Sequence, residues 1–127
     1  MKWIDVKKQL PTPDARILIW FGDAMFGTYN NAEGWAFDFL PPDSAYALIS
    51  HFCEVNDPAG CSDWLPISEH SPIPGENVAL WCGHAVVGYQ STDLDDPERD
   101  EDGWVIDYRT SNMSKPTHVM RIVPPAP

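Results

Sequence analysis

Basic residues are scarce in this chain of 127 residues, which has eight Lys and Arg side chains against nineteen Asp and Glu. The formal net charge at pH 7 is −11, and both halves of the chain share in it. A surface of this sign repels nucleic acid and anionic membranes and attracts basic proteins. We therefore expect no direct binding to nucleic acid or to a membrane, and we expect a partner with a basic surface.

Long apolar segments are absent as well. No stretch approaches the roughly 18 apolar residues that a membrane-spanning helix needs. The opening residues Met1–Asp5 contain no apolar segment of the kind found in secretory signals. The three cysteines are an odd number and do not suggest the disulfide framework of a small secreted protein. These features predict a cytoplasmic protein.

Sequence motifs of known catalytic sites are missing. The chain has no Gly-x-Ser-x-Gly, no His-Glu-x-x-His, no Gly-x-Gly-x-x-Gly and no phosphate-binding glycine loop with Lys. Folding could pair His118 with Asp107, or His51 with Cys53, but a protein of this size offers such pairs by chance. We predict that the protein is not an enzyme and that it needs no cofactor.

A zinc site is not predicted either. The residues that could supply ligands are His51, Cys53, Cys61, Cys82 and His84. Structural zinc sites usually contain a Cys-x-x-Cys turn that points two thiolates at one ion, and this chain has none. The thiols are better explained as small buried side chains.

The most informative feature that is present is an internal repeat. Residues 3–29 align without a gap with residues 64–90, and seven of the 27 positions are identical. The identical pairs are Trp3/Trp64, Pro11/Pro72, Pro13/Pro74, Trp20/Trp81, Gly22/Gly83, Ala24/Ala85 and Gly27/Gly88. Trp, Gly and Pro mark core anchors, tight backbone and turns, so the pattern indicates two copies of one small fold.

Beyond this block the copies differ in length. Residues 34–38 align with residues 103–107, and residues 62–67 resemble residues 117–122. On this alignment copy one carries an insertion near 42–55, and copy two carries an acidic insertion near 91–102. We predict two domains, 1–63 and 64–127, and expect them to share a core because a unit of about 60 residues is marginal alone.

Each copy has the pattern of antiparallel β structure, with short apolar runs that end at a turn-forming Gly. The predicted strands are Arg16–Phe21, Met25–Tyr29, Trp35–Phe39, Asn77–Cys82, Val86–Gln90 and Trp104–Tyr108. A helix is predicted over Asp43–Val55 from the spacing of its apolar residues, with a strand over Tyr46–Cys53 as the alternative. The predicted fold class is mainly β, with two tandem repeat-related antiparallel units sharing a core and one short helix.

The six tryptophans form three pairs related by the repeat. Stacking on single-stranded nucleic acid is one role for such side chains, but it requires neighbouring cations that this chain lacks. We therefore predict that they pack in the core. The pairs are Trp3/Trp64, Trp20/Trp81 and Trp35/Trp104.

Three short motifs resemble a known family. Residues 3–6 read Trp-Ile-Asp-Val, residues 10–11 read Leu-Pro, and residues 117–120 read Thr-His-Val-Met. They resemble a small phage and prophage domain of unknown function that opens with Trp-Ile-x-Val and ends near Thr-His-Trp-Met-Pro-Leu-Pro. Val119 replaces the Trp of that ending, and residues 121–124, Arg-Ile-Val-Pro, depart from its Pro-Leu-Pro. The resemblance implies a phage origin and a role inside the infected cell, and it supplies no catalytic residues.

The densest charged feature is the acidic insertion, which has seven carboxylates and only Arg99 opposing them. It lacks the ligand spacing of an EF-hand, so a calcium site is not predicted. A solvated loop is the simplest interpretation. The functional alternative is a binding surface formed with the apolar residues of the first insertion. The partner-binding candidates are Tyr46, Leu48, Ile49, Phe52, Asp93, Asp95, Asp96, Glu98, Asp100, Glu101 and Asp102.

These observations lead to one functional hypothesis. We expect a non-catalytic phage accessory protein that binds a basic host protein, in its sharpest form an acidic mimic of nucleic acid that inhibits a defence or nucleic-acid enzyme. The alternatives are a small metal-dependent or hydrolytic enzyme and a structural protein of the virion.

Overall fold

The computed structural model describes residues 2–38, 41–60, 63–106 and 113–126. The chain divides into two compact units. The first comprises Met1–Asn56 together with Val123–Pro127, and the second comprises Asp57–Ile122. The first unit is therefore built from two separate segments of the chain.

A five-stranded antiparallel sheet forms the first unit. Its strands are β1 (Ile4–Asp5), β2 (Ile17–Trp20), β3 (Ala24–Asn30), β4 (Gly34–Phe37) and β5 (His51–Glu54), with the helix α1 (Ala45–Leu48) before β5. The strand order is β1-β5-β2-β3-β4. The last strand thus lies between the first two and pairs with both of them.

The second unit repeats this sheet. Its strands are β6 (Leu65–Pro66), β7 (Val78–Trp81), β8 (Ala85–Gln90), β9 (Trp104–Ile106) and β10 (His118–Arg121). The strand order is β6-β10-β7-β8-β9. The mainly β fold with two tandem antiparallel units and one short helix is thereby confirmed. The described parts of all six predicted strands match β2, β3, β4, β7, β8 and β9, although Phe39 and residues 107–108 lie outside the described residues.

The pairing of the strands corrects one part of the sequence alignment. Strand β5 has the same neighbours in its sheet as β10, so His51 corresponds to His118, and residues 62–67 are not the counterpart of β10. The backbone N–H of Ser50 donates to the carbonyl of Trp20 at 3.0 Å, as the N–H of Thr117 does to Trp81 at 2.9 Å. Residues 51–54 therefore belong to the shared scaffold.

The helix predicted over Asp43–Val55 is only four residues long. Ser44 precedes it without a capping side-chain hydrogen bond, and Ile49 has an extended backbone that ends it. Strand pairing of the following residues with β1 and β2 supplies long-range hydrogen bonds that a continued helix would give up. Local helical spacing therefore predicts the start of this segment, and tertiary pairing decides its end.

Each sheet carries an apolar cluster on one face. In the first unit Ile17, Ile19 and Phe52 are fully buried. The second unit has a larger buried set, consisting of Val78, Leu80, Cys82, Val86, Trp104, Ile106 and Val119. A core shared between the two copies stays a prediction, based on the small size of each unit.

Two glycines are required where neighbouring strands approach closely. A Cβ added at Gly27 would lie 2.0 Å from the carbonyl oxygen of Ala36, and one at Gly88 would lie 2.6 Å from that of Val105. These distances are far below van der Waals contact, and both involve backbone oxygens; a Cβ at Gly88 would also lie 2.8 Å from Cδ1 of Leu80. The identity of the two glycines in the repeat therefore follows from the close pairing of β3 with β4 and of β8 with β9.

The first prediction concerns the separated copies. A fragment of residues 1–56 should fail to fold, because a sheet of this size buries little surface and because the indole N–H of Trp3 donates to the carbonyl of Val123 at 2.6 Å. Dispersion of amide proton signals would measure this. A control fragment in which residues 123–126 are rejoined through a glycine linker should recover some order. Cooperative melting of residues 1–56 alone would contradict the expectation.

The second prediction concerns repeat-related tryptophans. Trp20 and Trp81 are half-buried, not fully buried, and their rings contact Trp3 and Trp64 at centroid distances of 5.8 and 5.9 Å. Replacement of either Trp20 or Trp81 by Ala should cost about 3 kcal/mol, the lower end of the range for a large aromatic side chain. Chemical denaturation measures the loss. A cost below about 1 kcal/mol at both sites would show that the pairs are surface contacts.

Candidate partner-binding site

The acidic insertion forms the connection between β8 and β9, and its backbone is held by its own side chains. The N–H of Asp95 donates to Oδ1 of Asp93 at 3.0 Å, and the N–H of Glu98 donates to Oδ1 of Asp96 at 3.0 Å. Oδ1 of Asp100 accepts from the N–H groups of Asp102 and Trp104, both at 2.9 Å. Such contacts are characteristic of Asx-turns. Three of the seven carboxylates therefore shape the loop.

Two more carboxylates are engaged with a cation. Nζ of Lys115 lies 2.6 Å from Glu101 and 3.3 Å from Asp102. The hydrogen bonds and charges of Glu101 and Asp102 raise the pKa of Lys115 above its ordinary value. Because all three side chains are largely exposed, solvent screens this pair and its contribution to stability is small.

The remaining two carboxylates, Asp95 and Glu98, are exposed and accept no hydrogen bond from the residues that the structure describes. Arg99 does not neutralise them through its Nε, which donates to the carbonyl of Ser91 at 3.1 Å. The loop thus presents Asp95 and Glu98 to solvent on a backbone that neighbouring aspartates hold in place. The sequence of acidic residues does not show which carboxylates bond to the backbone and which remain in solvent.

The four apolar candidates, all in the first unit, differ in their exposure. Tyr46 and Leu48 of α1 are 47% and 59% exposed, so they are accessible, whereas Ile49 is half-buried against the core of the first unit. Phe52 is fully buried in β5, and its inclusion as a surface anchor is corrected by this placement. Its side chain points into the sheet core because Phe52 pairs with Ile4 and Ile19.

Sequence reasoning missed a groove beside the acidic loop. It has a volume of about 480 Å³ and is lined by residues of the second unit. Its apolar wall includes Ile67, Pro72 and Trp104, and its polar rim includes Asp102 and Lys115. The only signal in the sequence is the repeat itself, which relates Trp104 to the third strand of the first copy. The groove depends on connections that differ between the copies, so the repeat does not predict it.

The two histidines of the closing strands make the same contact in both units. The hydroxyl of Ser50 lies 2.8 Å from Nδ1 of His51, and the hydroxyl of Thr117 lies 2.8 Å from Nδ1 of His118. Cys53, which was suggested as a partner of His51, lies in the same strand and donates from Sγ to the carbonyl of Glu54 at 3.6 Å. Asp107, the other suggested partner, lies outside the described residues.

Potential metal ligands are scattered in the part of the chain that the structure describes. Within residues 2–38, 41–60, 63–106 and 113–126, no group of three or more His, Cys, Asp or Glu side chains is arranged to hold a metal ion. Cys53 and Cys82 are buried, and Cys61 is outside those ranges. In the same part of the chain, no helix combines the length and the apolar character needed to span a bilayer.

Comparison with known proteins adds no assignment to this geometry. No protein-family model, no curated protein and no solved structure matches the chain.

The third prediction separates the structural aspartates from the charged surface. Asn at positions 93, 96 and 100 keeps the side-chain oxygen that accepts each turn hydrogen bond, so this triple variant should melt within a few degrees of the wild type. Ala at the same three positions removes the acceptors and should cost about 1 kcal/mol per turn. Thermal melting followed by circular dichroism measures both. Equal melting temperatures for the Asn and Ala variants would contradict the role assigned to these turns.

Proposed function

We propose that this protein is a non-catalytic binding protein whose acidic loop engages a basic surface on another protein. The observation that supports this proposal is the construction of the loop: Asp93, Asp96 and Asp100 hold the backbone, while Asp95 and Glu98 stay exposed. Asx-turns also occur in solvated loops that bind nothing. A surface that must present charge in a fixed arrangement benefits from them.

Preorganisation is the physical reason that this construction favours binding. A flexible acidic segment loses conformational entropy when a partner orders it, and that loss weakens the complex. A loop that is already held by Asx-turns loses less. The exposed carboxylates also attract a basic partner over a distance of about one Debye length, which raises the association rate at low salt.

The more specific form of the proposal is mimicry of nucleic acid. A basic groove that binds phosphates gains affinity from counterion release, and a fixed array of carboxylates competes for the same groove. The net charge of −11 supports this form, because it also disfavours direct contact with nucleic acid. Together with the resemblance to a phage domain, it leads us to propose an accessory factor that inhibits a host enzyme in the cytoplasm.

A small hydrolase is the second candidate, and one observation favours it. Each unit has a hydroxyl within hydrogen-bond distance of a histidine, at Ser50–His51 and at Thr117–His118. Both contacts join neighbours in the chain and recur at the same place in the two sheets, which fits a structural role in orienting the ring. Asp5, which pairs with His51 across the sheet, uses Oδ1 to accept from the N–H of Lys7. We therefore favour binding over catalysis.

The fourth prediction tests the charged surface directly. The wild type should capture a basic protein from a bacterial lysate, and association with that protein is then measured against salt concentration. The double variant Asp95→Asn/Glu98→Gln should associate several-fold more slowly at low salt and with a weaker salt dependence, because it loses two exposed charges.

A matched control is the double variant Asp43→Asn/Glu33→Gln. It removes the same number and types of exposed carboxylate from the first unit. Its association rate should stay close to the wild-type value. If both double variants reduce the association rate by the same factor, general charge attraction explains the binding, and the acidic loop is not the site.

A further inference from the structure

A second cavity in the same unit is not explained by the acidic surface. It has a volume of about 240 Å³ and opens on the face of the sheet formed by β6, β10 and β7. Its wall is apolar and includes Leu65, Val78 and Val119. Ile73 lies at its rim and is 61% exposed, although it is a large apolar side chain.

The first copy shows why this cavity exists. Leu65, Val78 and Val119 occupy the positions that Ile4, Ile17 and Phe52 occupy in the first sheet, since Leu65 pairs with Val119 as Ile4 pairs with Phe52.

In the first unit a phenylalanine stands at the position of Val119. Phe52 and Ile17 are fully buried there, and Pro11 is buried as well. In the second unit the shorter Val119 stands in the place of the phenyl ring, and Pro72, the counterpart of Pro11, is only half-buried. The same scaffold thus encloses a phenyl ring in one copy and leaves an apolar cavity in the other.

The surroundings of the cavity are charged. Oε1 of Glu76, at the edge of the cavity, accepts from Nε of Arg121 at 2.8 Å. The segment from His70 to Pro72 lines both this cavity and the larger groove that reaches Asp102 of the acidic loop. A chain bound at the cavity can therefore extend along the groove towards the carboxylates.

We propose that the cavity receives one aromatic side chain of a basic peptide segment, with a phenyl ring as the best fit. The ring would occupy the place that Phe52 fills in the first copy, and Lys or Arg residues beside it would face the acidic loop. The basic character of the peptide rests on the proposed function. The preference of the cavity for an aromatic side chain rests only on the residues that line the cavity. Buried aromatic anchors surrounded by a polar rim are typical of binding hot spots.

Four synthetic peptides test the two parts separately. The first is a capped Lys-Lys-Phe-Lys-Lys, the second has Ala in place of Phe, and the third and fourth have Ser in place of every Lys. Binding to the full chain is followed by methyl chemical shifts, with Val119 and Leu65 as reporters. We expect the Phe peptide with lysines to bind about tenfold more tightly than its Ala counterpart.

Substitutions then locate the ring. Val119→Phe fills the cavity from within and should reduce the affinity for the Phe peptide to that of the Ala peptide, while leaving the Ala peptide unchanged. Because a larger side chain can strain a core, Ile73→Ser is a second variant at an exposed position and should weaken the Phe peptide several-fold. Leu94→Ser is its control, since Leu94 is also apolar and 80% exposed but does not line the cavity.

Each result has a defined meaning. Equal affinity for the Phe and Ala peptides with lysines, or no binding of either, would overturn the aromatic site. Equal affinity for the Phe peptides with and without lysines would keep the site and contradict the basic partner of the proposed function. If the free protein self-associates and Val119→Phe abolishes that association, the occupant is a second copy of this chain and the peptide proposal is wrong.

Discussion

Insertion of the last strand of each copy between the first two is the constraint on which both units depend. Strand β5 completes the hydrogen bonding of both β1 and β2, and β10 does the same for β6 and β7. The hairpins β2–β3 and β7–β8 are local and can form early, but the closing strand must return from a distant part of the chain. Its contacts stabilise the short edge strands, which are only two residues long.

This constraint determines which positions are free to differ between the copies. The closing strand places one side chain in the centre of the apolar face, and that position is Phe52 in one unit and Val119 in the other. Gly27 and Gly88 cannot vary because backbone atoms of the neighbouring strand occupy the space beside them. The connection between β8 and β9 lies outside the paired strands. It can therefore be longer and contain more acidic residues without disturbing the sheet.

Charge and cavity are therefore specialisations of one copy on a scaffold common to both. The aspartates of the loop serve two purposes, since some carboxylates satisfy backbone N–H groups and others remain in solvent. In the proposed complex, the exposed carboxylates would speed electrostatic encounter and the apolar cavity would slow dissociation. The first copy has Phe52 at the position of Val119 and lacks the carboxylate array, although it exposes Tyr46 and Leu48.

The sequence alone determined the internal repeat, the strands around each hairpin and the acidic character, because these follow from residue identity and from periodicity within short segments. Tertiary structure decided the rest. Residues 51–54 form a strand because β1 and β2 offer hydrogen-bond partners that local helical spacing does not reveal. Phe52 is a core residue for the same reason.

The cavity at Val119 depends on which residues face each other across three strands. The exposure of Asp95 and Glu98 depends on which neighbouring carboxylates bond to the backbone. The contacts across strands join residues that are distant in the chain, and the carboxylates of the loop are chemically alike. The folded structure is therefore needed to show which residues face each other and which carboxylates stay exposed.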